Sequence, residues 1–514
     1  MAIDRIQNFN DLVRGPTVRR QNPRKLSHLV ARDLRGLILR GVLAPGQALP
    51  SESDLLQALQ VSRNTLREAL RILESESLIT VRRGRTGGAV VQRPDVRSVA
   101  RYVALLLQVR GATIGDIQEA RAIIEPRAAA RLAETIEPRQ LELLVALHDK
   151  EVAAARDQWE LADALVSFDE AVFDLAGNKM IGVLSTIFRN VIASQRYRAM
   201  KPRPAEDRLE GAELHSAFLH DVTVGDSAAA GEHWMAYRAI AAEHLTGSVS
   251  DVRFDIVPNW QEEMAPGRRA EGSITMAASI ATELRVRMAT GALVDGDQLP
   301  SMPELAAEFE VSRPTMRECL RVLEMEGLVD LRTGSRSGAT VLAPTAETAA
   351  HLATIVLASE QTRMDDIAEA SRLIEPTAVE LVATRIGAEA VADLAERVTD
   401  LEELVDSTIA FTEAFEDLAQ QAVAGAGNPA LSVAWEMLHS MNVECRRTLA
   451  ISALSTPKVT RGNRATQAAL ARFVAAAERH DGPSAGAAWT EFLDAIEPFF
   501  RDVLGDRLLV DLFD

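Results

Sequence analysis

Residues 49–74 read LPSESDLLQALQVSRNTLREALRILE, and residues 299–324 read LPSMPELAAEFEVSRPTMRECLRVLE. The two segments align without a gap and are identical at 14 of 26 positions. The same offset of 250 residues relates Glu125-Pro126 to Glu375-Pro376 and Gly177-Asn178 to Gly427-Asn428. An offset shared over so much of the chain indicates two copies of one multi-domain unit.

Length and composition agree with a duplicated two-domain unit. The chain has 514 residues, enough for about three to four domains, and 47% of them are apolar. No apolar run is long enough to predict a membrane span, and the N-terminus lacks the apolar core of a secretion signal. The two cysteines, Cys319 and Cys445, form no disulfide framework. We therefore expect a cytoplasmic protein with no membrane partner.

The net charge of −18 taken alone argues against a nucleic-acid partner. The placement of the charge matters more than its sum. Residues 61–93 contain seven Arg and three Glu, residues 311–343 contain five Arg and four acidic residues, and the N-terminal tail is also basic. Basic patches on an acidic body are consistent with DNA binding. The alternative is that these arginines only solvate helix faces.

Each copy begins with three predicted helices and a two-stranded hairpin. Ser51 and Ser62 suit the N-caps of the second and third helices, as do Ser301 and Ser312 in the second copy. The first helices are predicted at residues 24–40 and 273–290, the third helices end near 77 and 327, and the strands lie at 78–81 with 89–92 and 328–331 with 339–342. This order predicts a winged helix-turn-helix in each copy.

The rest of each copy is rich in Ala, Leu and Glu at helical spacing, which predicts an α-helical bundle. Residues 248–272 lack periodicity and carry Pro and Gly, which favours a linker. The predicted fold class is mainly α, with two winged helix-turn-helix domains and two all-α effector domains. The predicted boundaries are 1–23 for the basic tail, 24–93 and 273–343 for the winged domains, 94–247 and 344–514 for the bundles, and 248–272 for the linker.

The third helix of each winged domain has the pattern expected of a DNA-recognition helix. Arg63, Arg67 and Arg71 follow one another at a spacing of four, so they share one face. Leu66 and Leu70 belong to an apolar stripe on another face. Arg313, Arg317 and Arg321 repeat the arrangement in the second copy. Arginine can grip phosphate or fork to guanine, so this surface predicts DNA binding.

These motifs resemble the winged helix-turn-helix of the GntR family of bacterial transcription regulators. The stretches EARAIIEP (119–126) and EASRLIEP (369–376), with AGN at 176–178 and 426–428, resemble the family's FCD effector domain, found in its FadR-like subfamily. The resemblance covers nearly the whole chain except the tail and the linker. It implies a DNA-binding regulator whose affinity for its operator responds to a small molecule.

The resemblance also implies that Arg63, Asn64, Thr65, Arg67 and Gly87 contact DNA, and in the second copy Arg313, Pro314, Thr315, Arg317 and Gly338. The arginines of the hairpin tips, Arg83, Arg85 and Arg336, could reach the DNA backbone or minor groove beside the helix. Ser51 and Ser301 complete the predicted DNA-binding residues. One departure is that Ser53 and Pro303 stand where the family usually has Arg. The second copy also replaces Asn64 by Pro314 and is less basic, so we expect the two heads to bind unequally or to read different half-sites.

FCD domains commonly bind a metal through an Asp and three His, and here this set has largely been lost. The expected positions fall on Leu165, Asp169, His215 and near Tyr237, and in the second copy on Phe415, Ala419 and near Gln467. We therefore expect no metal cofactor, with Asp169 and His215 as a weak alternative site. His215 is otherwise a core or interface histidine.

A ligand without a metal is expected to use the same region. Arg121 stands where the family often has an Arg that meets a carboxylate, and its counterpart Ser371 cannot do so. Arg121, Asp169, His215 and Tyr237 are therefore the candidate effector residues. We expect the first copy to bind a small organic acid, while an acyl-type ligand stays open.

The sequence as a whole predicts a DNA-binding transcription regulator, with repression as the expected sign. Two heads in one chain form an internal pseudo-dimer, which predicts an imperfect palindrome as operator, with further self-association left open. An enzyme is not expected, because no Ser/His/Asp group, phosphate loop or CxxC pair stands out. The alternative is a scaffold that keeps the fold with weak or lost DNA binding.

Overall fold

The computed structural model describes residues 23–82, 88–199, 209–246, 251–258, 260, 276–331, 339–452, 457–504 and 507–513. It confirms a mainly α-helical protein with two small hairpins. The first copy comprises α1 (Pro23–Leu39), α2 (Glu52–Leu59), α3 (Arg63–Ser75), β1 (Ile79–Arg82), β2 (Gly88–Val91), α4 (Val96–Val109), α5 (Ile114–Thr135), α6 (Pro138–Ala154), α7 (Gln158–Asp174), α8 (Lys179–Ala199), α9 (Glu210–Val224) and α10 (Ser227–Thr246).

The second copy repeats this order of elements. It comprises α11 (Met276–Ala289), α12 (Met302–Glu308), α13 (Arg313–Met325), β3 (Val329–Leu331), β4 (Ala339–Val341), α14 (Ala346–Ser359), α15 (Met364–Arg385), α16 (Ala388–Leu404), α17 (Thr408–Ala424), α18 (Pro429–Ser452), α19 (Pro457–Ala477) and α20 (Gly482–Leu504), followed by a 3₁₀ helix (Leu509–Phe513). We call α1–β2 and α11–β4 the two heads, and α4–α10 and α14–α20 the two bundles. Among the described residues, no helix combines the length and apolarity needed to span a membrane.

The serines predicted as N-caps begin the second and third helices of each head. Ser51 accepts a hydrogen bond from the Asp54 amide, and Ser62 accepts one from the Thr65 amide. In the second head Ser312 accepts from the Thr315 amide in the same way, and Ser301 forms a capping box with Glu304, whose carboxylate accepts from the Ser301 amide at 2.8 Å. An N-cap side chain satisfies amides that the helix leaves without partners, which fixes where each helix begins.

Each head closes around the apolar stripe of its third helix. Leu66 and Leu73 are fully buried in the first head, as are Met316 and Leu323 in the second. The hairpins pair antiparallel, with Ile79 opposite Val91 and Val329 opposite Val341. The turn before the second helix of each head also pairs with the hairpin. An antiparallel β-bridge joins Ala48 to Val90 in the first head and Gln298 to Thr340 in the second.

Within the segment 248–272, predicted as a linker, the described residues 251–258 and 260 contribute to the first bundle. The Phe254 amide donates to the Ala112 carbonyl, and both Phe254 and Trp260 are buried. In the second copy the Leu509 amide donates to the Thr362 carbonyl in the same way. The correction has a simple cause: aromatic side chains spaced among polar residues carry no periodic signal, yet their burial stabilises the segment on the bundle.

The two copies meet through reciprocal contacts between their bundles. The Asn178 side-chain amide donates to Glu369 at 2.8 Å, and that of Asn428 donates to Glu119 at 2.8 Å. Gly177 precedes Asn178 with φ +73°, and a Cβ there would lie 2.4 Å from a Thr135 oxygen. The Gly-Asn turn therefore serves the joint between the copies.

The heads cross over, since each one contacts the bundle of the other copy. The first head meets the second bundle where Gln361 donates to the Leu39 carbonyl at 2.7 Å and Arg40 pairs with Asp511 at 3.2 Å. The second head meets the first bundle where Gln108 donates to the Ala289 carbonyl at 3.1 Å. The bundle of one copy can therefore influence the position of the other copy's head.

Candidate DNA-binding surface and ligand pockets

The arginines of α3 form an exposed cationic surface, as predicted. The side chains of Arg63, Arg67 and Arg71 are 69%, 52% and 39% exposed. Glu52 lies 3.5 Å from Arg63 and 3.2 Å from Arg67. Exposed ion pairs contribute about 0–1 kcal/mol, so phosphate can displace Glu52 at little cost.

The helix starts carry both exposed and structural residues. Asn64 and Pro314 are exposed in the first turns of α3 and α13. Thr65 is buried, and its hydroxyl lies 2.8 Å from that of Ser62. Thr315 and Ser312 repeat this contact at 2.8 Å. The geometry places both threonine hydroxyls in the N-terminal caps of these helices, and the DNA contact predicted for each threonine stays a prediction.

The structure describes some of the remaining residues that were predicted to contact DNA, and the others lie outside the described residues. Ser51 is exposed and Ser301 half-buried, and both act as caps. Arg313 and Arg317 are exposed on α13. The wing-tip predictions, Arg83, Arg85, Gly87, Arg336 and Gly338, lie outside the described residues, as do residues 1–22 of the basic tail.

The two recognition helices, α3 and α13, lie next to each other. Residues from both line one open groove of about 1780 Å³, among them Arg67, Arg71, Arg317 and Arg321. Burial and the adjacent Arg71 lower the pKa of Arg321. The groove brings arginines of both heads together, with the glutamates Glu52, Glu74, Glu318 and Glu326 also in its lining, a proximity that sequence spacing alone could not reveal.

In the first bundle, His215 lies at the centre of a buried polar chain. Its Nδ1 is 2.9 Å from Glu151, and its Nε2 is 3.6 Å from Asp169. Tyr237 donates to Asp169 at 3.2 Å, and His148 lies 2.9 Å from the other Glu151 oxygen. Burial raises the pKa of Glu151, although the bonded His215 acts in the opposite direction.

These residues do not fit the metal that FCD domains commonly bind. Leu165 offers no ligand atom, and Asp169 and His215 contact Tyr237 and Glu151. Phe168 stacks on the His215 ring with centroids 4.2 Å apart. Among the residues that the structure describes, no group of three or more His, Cys, Asp or Glu side chains is arranged to hold a metal ion.

Arg121 belongs to a second buried network in the first bundle. It is 2% exposed and donates to Glu125 at 2.5 Å. Arg238 lies 2.8 Å from the other Glu125 oxygen and donates to Gln118 at 2.5 Å. Burial and the nearby Arg238 lower the pKa of Arg121 to about 10. Arg238, Glu151 and Gln118 escaped the sequence prediction, because only the fold brings α5, α6 and α10 together.

The second bundle has lost this polar centre. Phe415 and Ala419, predicted in place of the first two ligands, are buried. His480 takes the positive-φ position of Gly225, so the offset at that turn and along the helix that precedes it is 255 and not 250. Leu470, fully buried, is therefore the counterpart of His215, which corrects the prediction of Gln467.

The same register makes Trp489 and Phe492 the counterparts of Trp234 and Tyr237. Trp489 donates its indole N–H to Glu375 at 2.8 Å, and Asn442 donates to Ser371 at 2.7 Å. These four side chains line a small cavity with Phe492. The second bundle thus keeps a pocket of different chemistry.

Comparison with known proteins identifies both parts of each copy. The family described as "Bacterial regulatory proteins, gntR family" matches residues 26–90 and 276–340, and the "FCD domain" matches 116–239 and 366–495. The putative L-lactate dehydrogenase operon regulatory protein of Escherichia coli K12 is 32% identical over 223 residues, covering 42% of this chain and 84% of that protein.

Two further relatives show the same one-copy coverage. The Glc operon transcriptional activator of Escherichia coli K12 is 27% identical over 223 residues, covering 41% of this chain and 86% of that protein. The solved structure of a Streptococcus agalactiae GntR protein is 21% identical, with a TM-score of 0.33, and covers 42% of this chain and 97% of that one.

Proposed function

This chain belongs to the GntR family of transcription regulators and carries two FCD domains, and on that premise we propose that it acts as a single-chain pseudo-dimeric repressor. The observation that carries the proposal is the shared groove of α3 and α13, which is lined by arginines from both heads. A conventional dimer brings two heads together by association. Here the covalent link and the bonds of Asn178 and Asn428 serve that purpose.

The operator is an imperfect palindrome in this proposal. The heads share their arginine pattern, but Asn64 stands exposed in one and Pro314 in the other. Asparagine can donate to and accept from a base edge, and proline cannot. Because the recognition helices adjoin each other, the half-sites are expected to lie close together on the DNA.

The first bundle is proposed to bind a small organic acid without a metal. Arg121 and Arg238 supply positive charge at its centre. The side-chain nitrogens of Gln118 and Trp234 are buried without a hydrogen-bond partner and suit a ligand with acceptor oxygens. One relative is named for an L-lactate dehydrogenase operon, which agrees with a hydroxy acid as the ligand class.

Ligand binding is expected to act on DNA affinity through the crossed heads. A change in the first bundle reaches the second head through Gln108 and the Ala289 carbonyl, and the second bundle reaches the first head through Gln361. A small shift at these contacts would change the relative position of α3 and α13. We further propose that the protein works in the cytoplasm and has no catalytic activity.

A gel-shift series in increasing salt tests the proposal, with DNA from upstream of its own gene and unrelated DNA of equal length. Specific binding should weaken steeply with salt, because each phosphate contact releases a counterion. One chain should occupy one operator. Absence of binding at low salt would refute the regulator, and two chains on a perfectly symmetric site would refute the internal pseudo-dimer.

A further inference from the structure

The joint between the two copies is symmetric in its asparagine contacts but asymmetric in its charges. Arg110, at the end of α4, corresponds to Glu360 at the end of α14. On the helices that pack against α4 and α14, Thr186 of α8 corresponds to Glu436 of α18. Both correspondences keep the offset of 250 residues. The two copies therefore present different charges to each other at equivalent places.

Arg110 has a charged partner in the other copy. Its guanidinium nitrogens lie 2.6 Å and 2.8 Å from the two carboxylate oxygens of Glu436. The two side chains are 31% and 21% exposed, so salt and water screen this pair less than a fully exposed one. A two-pronged pair of this kind is a strong contact that also demands a specific geometry. It ties the end of α4 to α18 of the other copy.

On the other side of the joint, the charges are reversed. Lys179, at the start of α8, donates to the carbonyl of Glu360 in the second copy. The counterpart of Lys179 is the uncharged Pro429. Lys179 also attracts the Asp366 carboxylate, but the counterpart of that residue, Asp116, is acidic as well, so this attraction would exist in any pairing. Each helix end thus meets a residue of opposite charge in the other copy.

Each copy is one half of the chain, and a pair of like halves would lose this match. In a pair of second halves, Glu360 would replace Arg110 and face Glu436 on both sides. In a pair of first halves, Arg110 would lie beside Lys179 and would face the uncharged Thr186. Like charges held together across an interface are unfavourable and select against wrong partners. We call four residues the joint charges: Arg110, Lys179, Glu360 and Glu436.

Arg127 adds to this discrimination. It donates to the Thr377 hydroxyl at 3.0 Å, and these two residues are counterparts of each other. A residue that contacts its own counterpart lies at the two-fold axis of the joint. A pair of first halves would therefore set one Arg127 against another. Because Arg127 is exposed, water screens this repulsion, and it contributes less than the joint charges.

Two other ion pairs across the joint do not discriminate between pairings. Arg131 lies 3.1 Å from Glu369, and Arg385 lies 2.6 Å from Glu119. Glu119 and Glu369 are counterparts. Two first halves would therefore form the Arg131 pair twice, and two second halves would form the Arg385 pair twice. The number of ion pairs is the same in every case.

The contacts between the heads and the opposite bundles add little to this choice. His351 lies 3.6 Å from Glu76, and its counterpart Arg101 is also basic. Arg40 pairs with Asp511 at 3.2 Å and would lose this partner in a pair of like halves. Both side chains of that pair are more than a third exposed, so the loss is small.

We propose that the joint charges make each half of this chain a partner for the unlike half and reject a second copy of the same half. The inference deepens the proposed function and rests on its internal pseudo-dimer, because it names the partner that each half accepts. Unlike pairing always joins one head of each kind. An operator with two different half-sites requires that combination.

Urea unfolding of the full-length chain tests this, because single substitutions reproduce the contacts of like pairs. Arg110→Glu sets a carboxylate against Glu436, as in a pair of second halves, and should lower the equilibrium constant for folding at least about fivefold. Glu360→Arg sets a guanidinium beside Lys179, as in a pair of first halves. Its effect should be smaller, about twofold, because a cation also suits the end of a helix.

A charge exchange and a control separate the joint from other effects. Adding Glu436→Arg to Arg110→Glu should restore most of the loss, since it only reverses the pair, whereas an effect of charge at the helix end would stay. Arg97→Glu makes the same change at an exposed position of α4, where the second copy already has Glu347, and should change little. The proposal is overturned if neither test variant differs from this control, or if the exchange restores nothing.

Partner choice can be measured directly after the link between the copies is cut. A protease site is inserted between residues 260 and 276, and the cleaved protein is unfolded in urea, refolded and weighed by native mass spectrometry. We expect unlike pairs to exceed like pairs at least about tenfold. Glu436→Thr, which copies Thr186, should increase the share of second-half pairs. Equal amounts of like and unlike pairs would overturn the proposal, and if the cleaved halves do not refold, the urea series on the intact chain decides.

These measurements involve no DNA, so they separate this proposal from the proposed function. Unlike pairing in a protein that binds no operator would support the joint charges and refute the regulator. Operator binding by a protein whose halves pair at random would do the reverse.

Discussion

Asn178 of the first copy donates its side-chain amide to the Glu369 carboxylate of the second at 2.8 Å, and the Asp366 carbonyl accepts from the same nitrogen at 2.9 Å. Asn428 makes the equivalent bonds to Glu119 and to the Asp116 carbonyl. This reciprocity gives the joint the pseudo-two-fold symmetry of a homodimer interface. Replacing the side-chain NH2 group of either Asn by an oxygen, as in Asp, would remove the donor of these bonds.

Replacing Asn178 with Asp should destabilise the joint, because it sets two carboxylates against each other at hydrogen-bond distance. We expect a loss of at least about 2 kcal/mol in urea unfolding at pH 7. The repulsion raises the folded-state pKa of the introduced carboxyl, so the loss should shrink as the pH falls toward 4. Asn190→Asp, on the same helix but bonded to its own Thr186 carbonyl, is the control. Equal effects of the two substitutions would contradict the assigned joint.

Replacing Arg63 and Arg67 with Ala should remove specific DNA binding by the first head. Arginine contacts to bases or phosphates contribute about 1–3 kcal/mol each, so we expect a loss of about 2–6 kcal/mol and a shallower salt slope in gel shifts. Arg139, exposed on α6 of the first bundle, provides the control substitution. Unchanged operator affinity in the double variant would exclude α3 as the recognition helix.

Pro314→Asn should make the second head read DNA more like the first. Both residues are exposed in the first helical turn, so the substitution restores a base-reading side chain without disturbing the core. Selection of binding sequences from random DNA should then yield a more symmetric site than the native protein selects. If the selected site stays as asymmetric as before, other differences between the heads must determine which DNA sequence each one binds.

Arg121→Ser copies the residue of the second bundle into the first and should destabilise it. Removing one partner of a buried ion pair costs about 3–5 kcal/mol, because Glu125 keeps its charge in the core. Urea unfolding measures the loss, and Arg139→Ser controls for the change of residue type. A loss below about 1 kcal/mol would mean that Arg238 alone satisfies Glu125.

Cys319 should be inert in the folded protein. It is fully buried on α13, and burial raises the pKa of its thiol to about 12. A folded-state pKa that high leaves almost no thiolate between pH 7 and 9, so alkylation should not accelerate over that range as it does for a free thiol. A Cys445→Ser variant isolates the signal. Alkylation that accelerates with pH before unfolding would show that the second head opens locally.

The heads could be predicted closely because their signals are local. Capping serines, helical leucine spacing and Gly-rich hairpins each act within a few residues, so Ser51, Ser62 and their counterparts mark real helix starts. Thr65 shows what such signals leave open. Family resemblance predicts a DNA contact there, and the structure adds a contact of its hydroxyl with Ser62 in the helix cap.

The pockets were predicted less well because their partners are distant in sequence. Arg121 was identified, but Arg238, which binds the other oxygen of Glu125, lies 117 residues away, and Gln118 gives no signal of its own. The shift of register at His480 likewise moved the counterpart of His215 from Gln467 to Leu470. Such errors arise wherever an insertion falls between helices that still pack in the same way.

The sequence by itself determined that this protein is a tandem pair of DNA-binding heads and helical effector domains, because duplication, caps and periodicity are written in neighbouring residues. Only the tertiary structure decided that the heads cross to opposite bundles, that α3 and α13 line one groove, and that His215 contacts both Glu151 and Asp169. These relations join side chains far apart in the chain. Burial and hydrogen bonding select them only when the whole chain has packed.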